Sequence, residues 1–258
     1  MLARSATSHR VASASDAALS GALVDKIPIV SLPKGVDRTP RLPRLGAGVE
    51  LEELDGAQVL DAIIDESALE DVALKDSDVN GLVARGVDLK RFVIAGIDLS
   101  GATLDGLGLR DGTLDRCDLA NVSSQRCSLE RVQFENARLT GAIFAEPRIV
   151  DVCFRDCAMN LTSFRFGRFS RVRFEACRLV EADFQAATAT ACTFIDCDLS
   201  GSELSQARFA GSAFRGCRLD GVRGIQALRG ALVARSDLFE LADVFAAGLG
   251  VQLSDEIT

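Results

Sequence analysis

An all-β solenoid is the fold class this sequence predicts, and three observations carry it. From Leu69 to Leu219 every fifth residue falls in one register of 31 positions, of which 28 are Leu, Ile, Val, Met or Phe; Ala84, Ser124 and Ala189 are the exceptions. Two residues before each central position the side chain is small (Ala, Cys, Ser, Thr, Val or Gly) in 26 of the 31 units, the exceptions being Leu82, Phe92, Ile97, Leu107 and Pro147. Counted in twenties, the central residues also sort by type. Phe134, Phe154, Phe174, Phe194 and Phe214 make one row, and Leu99, Leu119, Leu139, Met159, Leu179, Leu199 and Leu219 another. A period of five fits neither a helix at 3.6 nor a strand at 2. Self-similarity at a fixed period marks a repeat architecture, and rows at twenty mean four units per coil.

Taken in order, residues 1–46 predict a disordered or extended arm. Pro33, Pro40 and Pro43 stand among basic residues there, with no helical or alternating pattern. Pro offers no donor to a ladder, so such an arm lies over a surface without pairing fully. Residues 47–223 form the repeat body, regular over 69–219; Leu54, Val59 and Ile64 already fit its register, and the departures from the small-residue rule make the early coils less regular. Seven of the eight Cys occupy the small inward position, and Cys117, Cys157, Cys177, Cys197 and Cys217 share one row. Residues 224–258 form a C-terminal cap. Gly224 breaks the register, and 237–249 reads as a short helix with Asp237 and Glu240 at its start and Gly248 or Gly250 at its end. Leu238, Leu241, Val244 and Phe245 make one face of it, and Val251–Leu253 suggests a last short strand. An open solenoid end exposes apolar side chains and unpaired backbone, which is why a cap is expected.

The units Cys117-Asp118-Leu119-Ala120-Asn121, Ala102-Thr103-Leu104-Asp105-Gly106 and Cys197-Asp198-Leu199-Ser200-Gly201 resemble the A(D/N)LXX motif of the pentapeptide repeat family. The resemblance extends over the whole regular region. It implies a right-handed quadrilateral β-helix. It also implies two properties of some members: pairing through C-terminal helices, which would make Leu238, Leu241, Val244 and Phe245 a homodimer interface, and mimicry of DNA toward DNA gyrase in quinolone resistance.

Composition narrows the function. The only His is His9, in the arm, so His-based triads and His metal sites are excluded; Trp and Tyr are absent. The Cys spacings are not those of a zinc site, and inward thiols act as small hydrophobes. Cys153 alone projects outward by register and is the thiol expected to react. A filled coil has no pocket, so the sequence predicts no enzyme, no cofactor and no metal. No apolar run reaches the roughly 18 residues of a membrane span, and the expected location is cytoplasmic. Net charge is −8, of which residues 69–223 carry only −2. That near-neutrality argues against direct nucleic-acid binding and against a DNA mimic, and favours a rigid scaffold that binds another protein.

Two charge patterns stand out. Asp111, Arg131, Asp151 and Arg171 alternate up one corner, as a surface ion-pair ladder. Arg148 and Arg168 stand one coil apart with Arg208 above, and Arg165, Arg171, Arg173 and Arg178 thicken this into a basic belt. Arg148, Arg168, Arg173 and Arg208 are the candidate partner-binding residues. The bland alternative is neutralisation by Asp151, Glu175, Glu181 and Asp183.

Overall fold

The computed structural model describes residues 12–13, 36–45, 50–54, 56–239 and 241–252. The chain is a right-handed quadrilateral β-helix of about 9 turns. Each residue pairs in parallel with the one twenty ahead, as in Phe154↔Phe174 and Phe174↔Phe194. We number the faces by their central rows: the first runs from Leu74 to Phe214, the second from Val79 to Leu219, the third from Ala84 to Leu204 and the fourth from Leu69 to Phe209. Coils rise toward the C-terminus. Corners take the left-handed conformation whatever residue is there, as at Asp111 (φ 56°), Arg131 (φ 52°) and Asn121 (φ 56°).

The interior is a set of ladders. Phe134, Phe154, Phe174, Phe194 and Phe214 stack at centroid separations of 4.7 to 5.1 Å. That matches the spacing of paired strands, about 4.7–4.9 Å, so one backbone rung sets one ring contact. Ala189 interrupts the fourth row between Phe169 and Phe209, and Phe184 from the third face reaches both at 6.0 Å. In the middle and upper coils, small inward hydroxyls are satisfied by the backbone below them. Thr162 Oγ1 donates to the Leu139 carbonyl at 2.8 Å and Ser202 Oγ to that of Leu179 at 2.9 Å.

The early coils are not less regular. Their strands run unbroken round a corner, as in Asp88–Ala95 and Gly108–Asp115, with every rung in register. The oversized Phe92 is absorbed by the coil above, where a Cβ on Gly112 would lie 2.4 Å from its ring. Only Gly fits there.

The two ends depart from the sequence expectation. At the start, Gly56–Ala62 is a helix, α1, instead of a further repeat unit. Val59 on α1 and Ile63 just after it are buried against the core, and Ile64 is exposed despite holding the register of five. The strand before α1, Glu50–Leu54, pairs with the first full coil and with the two-residue strand Ala12–Ser13. At the other end the chain turns at Gly224, where a Cβ would meet the Ser205 nitrogen at 2.4 Å. Leu232–Val233 adds the last parallel rung on Ala213–Phe214. The terminal helix, α2, spans Ala242–Leu249, shorter than the 237–249 expected. Asp237 does not cap it; its carboxylate accepts the Gly216 N–H at 2.5 Å, closing an open rung. Val251 and Gln252 form no strand. Glu240, Leu253 and most of residues 1–35 lie outside the described residues.

Residues 36–45 form the extended arm, and it lies along the corner between the fourth and first faces. Arg41 N–H donates to Asp151 Oδ1 at 3.2 Å and Arg44 N–H to Asp111 Oδ1 at 3.0 Å, while Arg38 Nε reaches the Gly211 carbonyl at 2.7 Å. Asp151 and Asp111 are two coils apart, about 9.6 Å at strand spacing. Three residues cover that distance at about 3.2 Å each, close to the 3.1 Å rise of polyproline II. With three residues per turn, the N–H groups following Pro40 and Pro43 face the same way. The charge ladder is therefore not a surface feature: Asp111 and Asp151 are only 4% and 3% exposed. Each takes a two-pronged contact from the Arg one coil above, at 2.5 and 2.8 Å from Arg131 and at 2.5 and 2.7 Å from Arg171. Burial alone would raise both carboxyl pKa values. The guanidinium and the arm's N–H outweigh it and hold both below the usual range.

Candidate partner-binding face

The upper half of the fourth face combines unopposed charge with exposure. Arg148 pairs in register with Arg168, Arg168 with Thr188, and Thr188 with Arg208. All three Arg are exposed, and among the described residues none makes an ion pair. The second outward column of the same face is Val150, Ser170, Thr190 and Ala210, with no acid. Asp151, at the adjoining corner, is spent on Arg171 and the arm. Glu146, at the opposite corner, is the one acid on the rim. Like charges on directly paired strand positions destabilise a sheet, so stability does not explain this column.

The wider belt does not hold together. Arg173 lies on the first face, its side chain 17% exposed and bonded to Glu175 at 3.0 Å. Arg165 on the third face pairs with Asp183 at 3.4 Å, and Arg171 with Asp151. Arg178 is on the second face. Of the four candidate residues, Arg148, Arg168 and Arg208 come together and Arg173 does not.

The lower half of the same face carries a groove of about 270 Å³, between Ala68 and Glu130. Four of its five charges are paired, Lys90 with Glu70 at 2.7 Å and Arg110 with Glu130 at 3.4 Å, and Asp88 adds a carboxylate without an ion pair among the described residues. Inside the coil, a void of about 40 Å³ is lined by Leu, Ile, Val and Phe alone. Among the described residues no cluster of three or more His, Cys, Asp or Glu could hold a metal, and no helix is long and apolar enough to cross a membrane.

Seven Cys are buried in the core. Those of the second face donate S–H to the carbonyl two residues earlier at 3.2 to 3.4 Å. Burial pushes Cys117 up to about 11 and Cys127 and Cys192 up to about 12. Cys177, Cys197 and Cys217 are raised too, first by the thiol one coil below. Cys153 does not stand out as reactive. It is half-buried between Gln133 and Arg173 on the first face, and desolvation lifts it to about 11 despite Arg155 and Arg173. A thiol of that pKa is almost wholly protonated at neutral pH. We therefore expect a native-state thiol titration at pH 7 to show no fast-reacting group, and all eight to react in denaturant. A single rapidly labelled thiol, mapped to Cys153, would contradict this burial.

At the C-terminal end, Leu241 is buried, and Val244 and Phe245 pack against the core. A Cβ on Gly248 would lie 2.1 Å from Ile225, so α2 sits tightly on the rod end. Three of the four proposed dimer residues are thus used within the chain. Leu238 is exposed, and so is Phe239 beside it.

Two family models match within the coils: Pentapeptide repeats (8 copies) over residues 110–145, and Pentapeptide repeat region over 167–227. This is a pentapeptide repeat protein. No curated protein matches it in sequence. Among solved structures, the pentapeptide repeat protein is similar to trypsin-treated QnrB1, a plasmid-mediated fluoroquinolone resistance protein, at 18% identity and a TM-score of 0.39, covering 78% of this chain and 94% of that one. It is also similar to HetL, a pentapeptide repeat protein involved in heterocyst differentiation regulation in the cyanobacterium Nostoc sp. strain PCC 7120. There the identity is 15% and the TM-score 0.26, over 69% of this chain and 94% of that one.

Proposed function

We propose that this pentapeptide repeat protein is a non-enzymatic, rigid scaffold that binds an acidic protein segment on the upper fourth face. The observation that carries the reading is the column of Arg148, Arg168 and Arg208, exposed and unpaired on the upper half of the face, whose outward columns hold no acid. The core supports the non-enzymatic part: its void is small and wholly apolar, with no convergent polar groups to orient a substrate.

A gyrase-binding DNA mimic would need a continuous acidic face. Asp78, Asp98 and Asp118 do stack on the second face, but the same column continues with Arg138, Ala158, Arg178, Asp198 and Arg218. Arg138 pairs with Asp118 at 2.8 Å, so the negative run ends after three coils. The scaffold reading is therefore preferred.

The test is binding of a labelled poly-glutamate peptide, followed by fluorescence anisotropy at low and physiological salt. Binding is expected to weaken with salt. The double variant Arg148→Glu, Arg168→Glu should weaken it at least about tenfold, which is about 1.4 kcal/mol. Its thermal midpoint should stay unchanged, since neither Arg has a partner to lose. Equal binding by the variant would overturn the reading.

A further inference from the structure

The third face beside the Arg column is framed by bulky apolar side chains where the fold has no use for them. Leu161 and Phe166 occupy two successive corners of one coil, at φ 58° and 59°, and both are 56% exposed. Every other described corner of the regular coils holds Asp, Asn, Arg, Glu, Gln, Ala or Gly. Left-handed backbone suits Gly, Asn and Asp, and is unfavourable for a bulky L-residue. Exposure to water adds to that cost and returns no packing. Ile143, 51% exposed, lies on the face between these corners, one rung below Ser163.

The corner under Phe166 is built firmly. Phe164 and Phe169 are buried on either side of it and meet edge-on at 5.6 Å. A Cβ on Gly167 would lie 2.7 Å from the Phe169 ring and 2.9 Å from the Phe164 carbonyl. Phe166 is thus displayed outward from a rigid turn. Arg168 follows two residues later, roughly 6–7 Å along the chain. Arg165, on the other side, is held by Asp183 and Gln185.

We infer that Phe166, Leu161 and Ile143 are apolar anchors of the same docking surface, and that its partner is an acidic segment carrying bulky apolar side chains. This inference rests on the scaffold reading above. Charge complementarity with Arg148 and Arg168 selects the acid, and the exposed corners select the apolar groups. Side chains at i and i+2 of a strand, or one turn apart on a helix at about 5–6 Å, match the step from Phe166 to Arg168.

Two labelled peptides of equal charge separate this inference from the reading beneath it: poly-glutamate, and one alternating Glu pairs with Leu pairs, so that Glu and Leu stand at i and i+2. The alternating peptide should bind the native protein about tenfold tighter. The double variant Leu161→Asn, Phe166→Asn should bring the two affinities together while leaving poly-glutamate binding unchanged. Asn adopts the left-handed conformation readily, so this variant should melt no lower than the native protein. The variant Arg148→Glu, Arg168→Glu should weaken both peptides. Equal affinities for the native protein, or an unchanged preference in the Asn variant, would overturn the apolar anchor and leave the scaffold reading standing. Failure of poly-glutamate to bind at all would overturn both.

Discussion

Phe174→Ala is expected to lower stability by about 3–5 kcal/mol, the usual range for emptying a buried aromatic site. Phe174 is fully buried and stacked on Phe154 at 5.1 Å and Phe194 at 4.7 Å, with Phe184 edge-on at 6.3 Å. The neighbours cannot close over the gap, because parallel rungs on both sides hold the coils apart. Phe174→Leu should cost less than half as much, since Leu114, Ile94 and Leu74 hold equivalent positions lower in the row. In a solenoid each coil contacts only its neighbours, so the cavity also weakens the coupling between the coils below and above it. Urea unfolding is the measurement. A broadened or split transition would accompany the loss, and a cost for the Ala variant below about 1.5 kcal/mol would show that the Phe ladder does not hold the stack.

Much of this architecture was legible because the period was legible. A strict five-residue register admits few backbones, and the segregation of Phe from Leu/Met at twenty required four units per coil. The inward Cys row followed from the same bookkeeping. What escaped was anything set by contacts outside the register. Val59 keeps its place in the count yet sits on helix α1, because periodicity records which side chain points inward and not the backbone that carries it. Asp237 looked like a helix cap; the nearby Gly216 N–H, an open rung, claimed it instead. Cys153 is outward by register but shielded by its stacked neighbours, which a single row cannot reveal. The Arg belt was over-read for the same reason: Arg168 and Arg173 are five apart in sequence but on different faces, and only Arg173 has Glu175 within reach. Leu161 and Phe166 were missed although the signal was present, as two bulky residues in corner columns otherwise held by Gly, Asn, Ala, Gln and charged side chains.

The resting place of the arm was the largest omission, and it yields the second large expected effect. Its Pro content indicated extension, but its resting place depends on two carboxylates more than sixty residues away. Asp151→Ala removes the partner of Arg171 and the acceptor for Arg41 N–H at once. Breaking a buried ion pair costs about 3–5 kcal/mol; Arg171 keeps 27% of its side-chain surface, so the lower end is expected. Asp151→Asn should keep the arm docked, because its side-chain oxygen still accepts from Arg41. Amide hydrogen exchange gives the decisive readout. Asp151→Ala should speed exchange at Arg41 and spare Arg44, and Asp111→Ala should do the reverse. The double variant should release residues 41–45, leaving Arg38 on the Gly211 carbonyl. Acid should act in the same way and only late. Both carboxyls are held below the ordinary Asp value of about 3.9. Their contribution is therefore complete above that value and is lost as the pH falls through the depressed folded values. Protection at Arg41 and Arg44 should accordingly survive at pH 5 and disappear only below about pH 4. Free exchange at both amides in the native protein at neutral pH would mean that the arm does not lie on this corner.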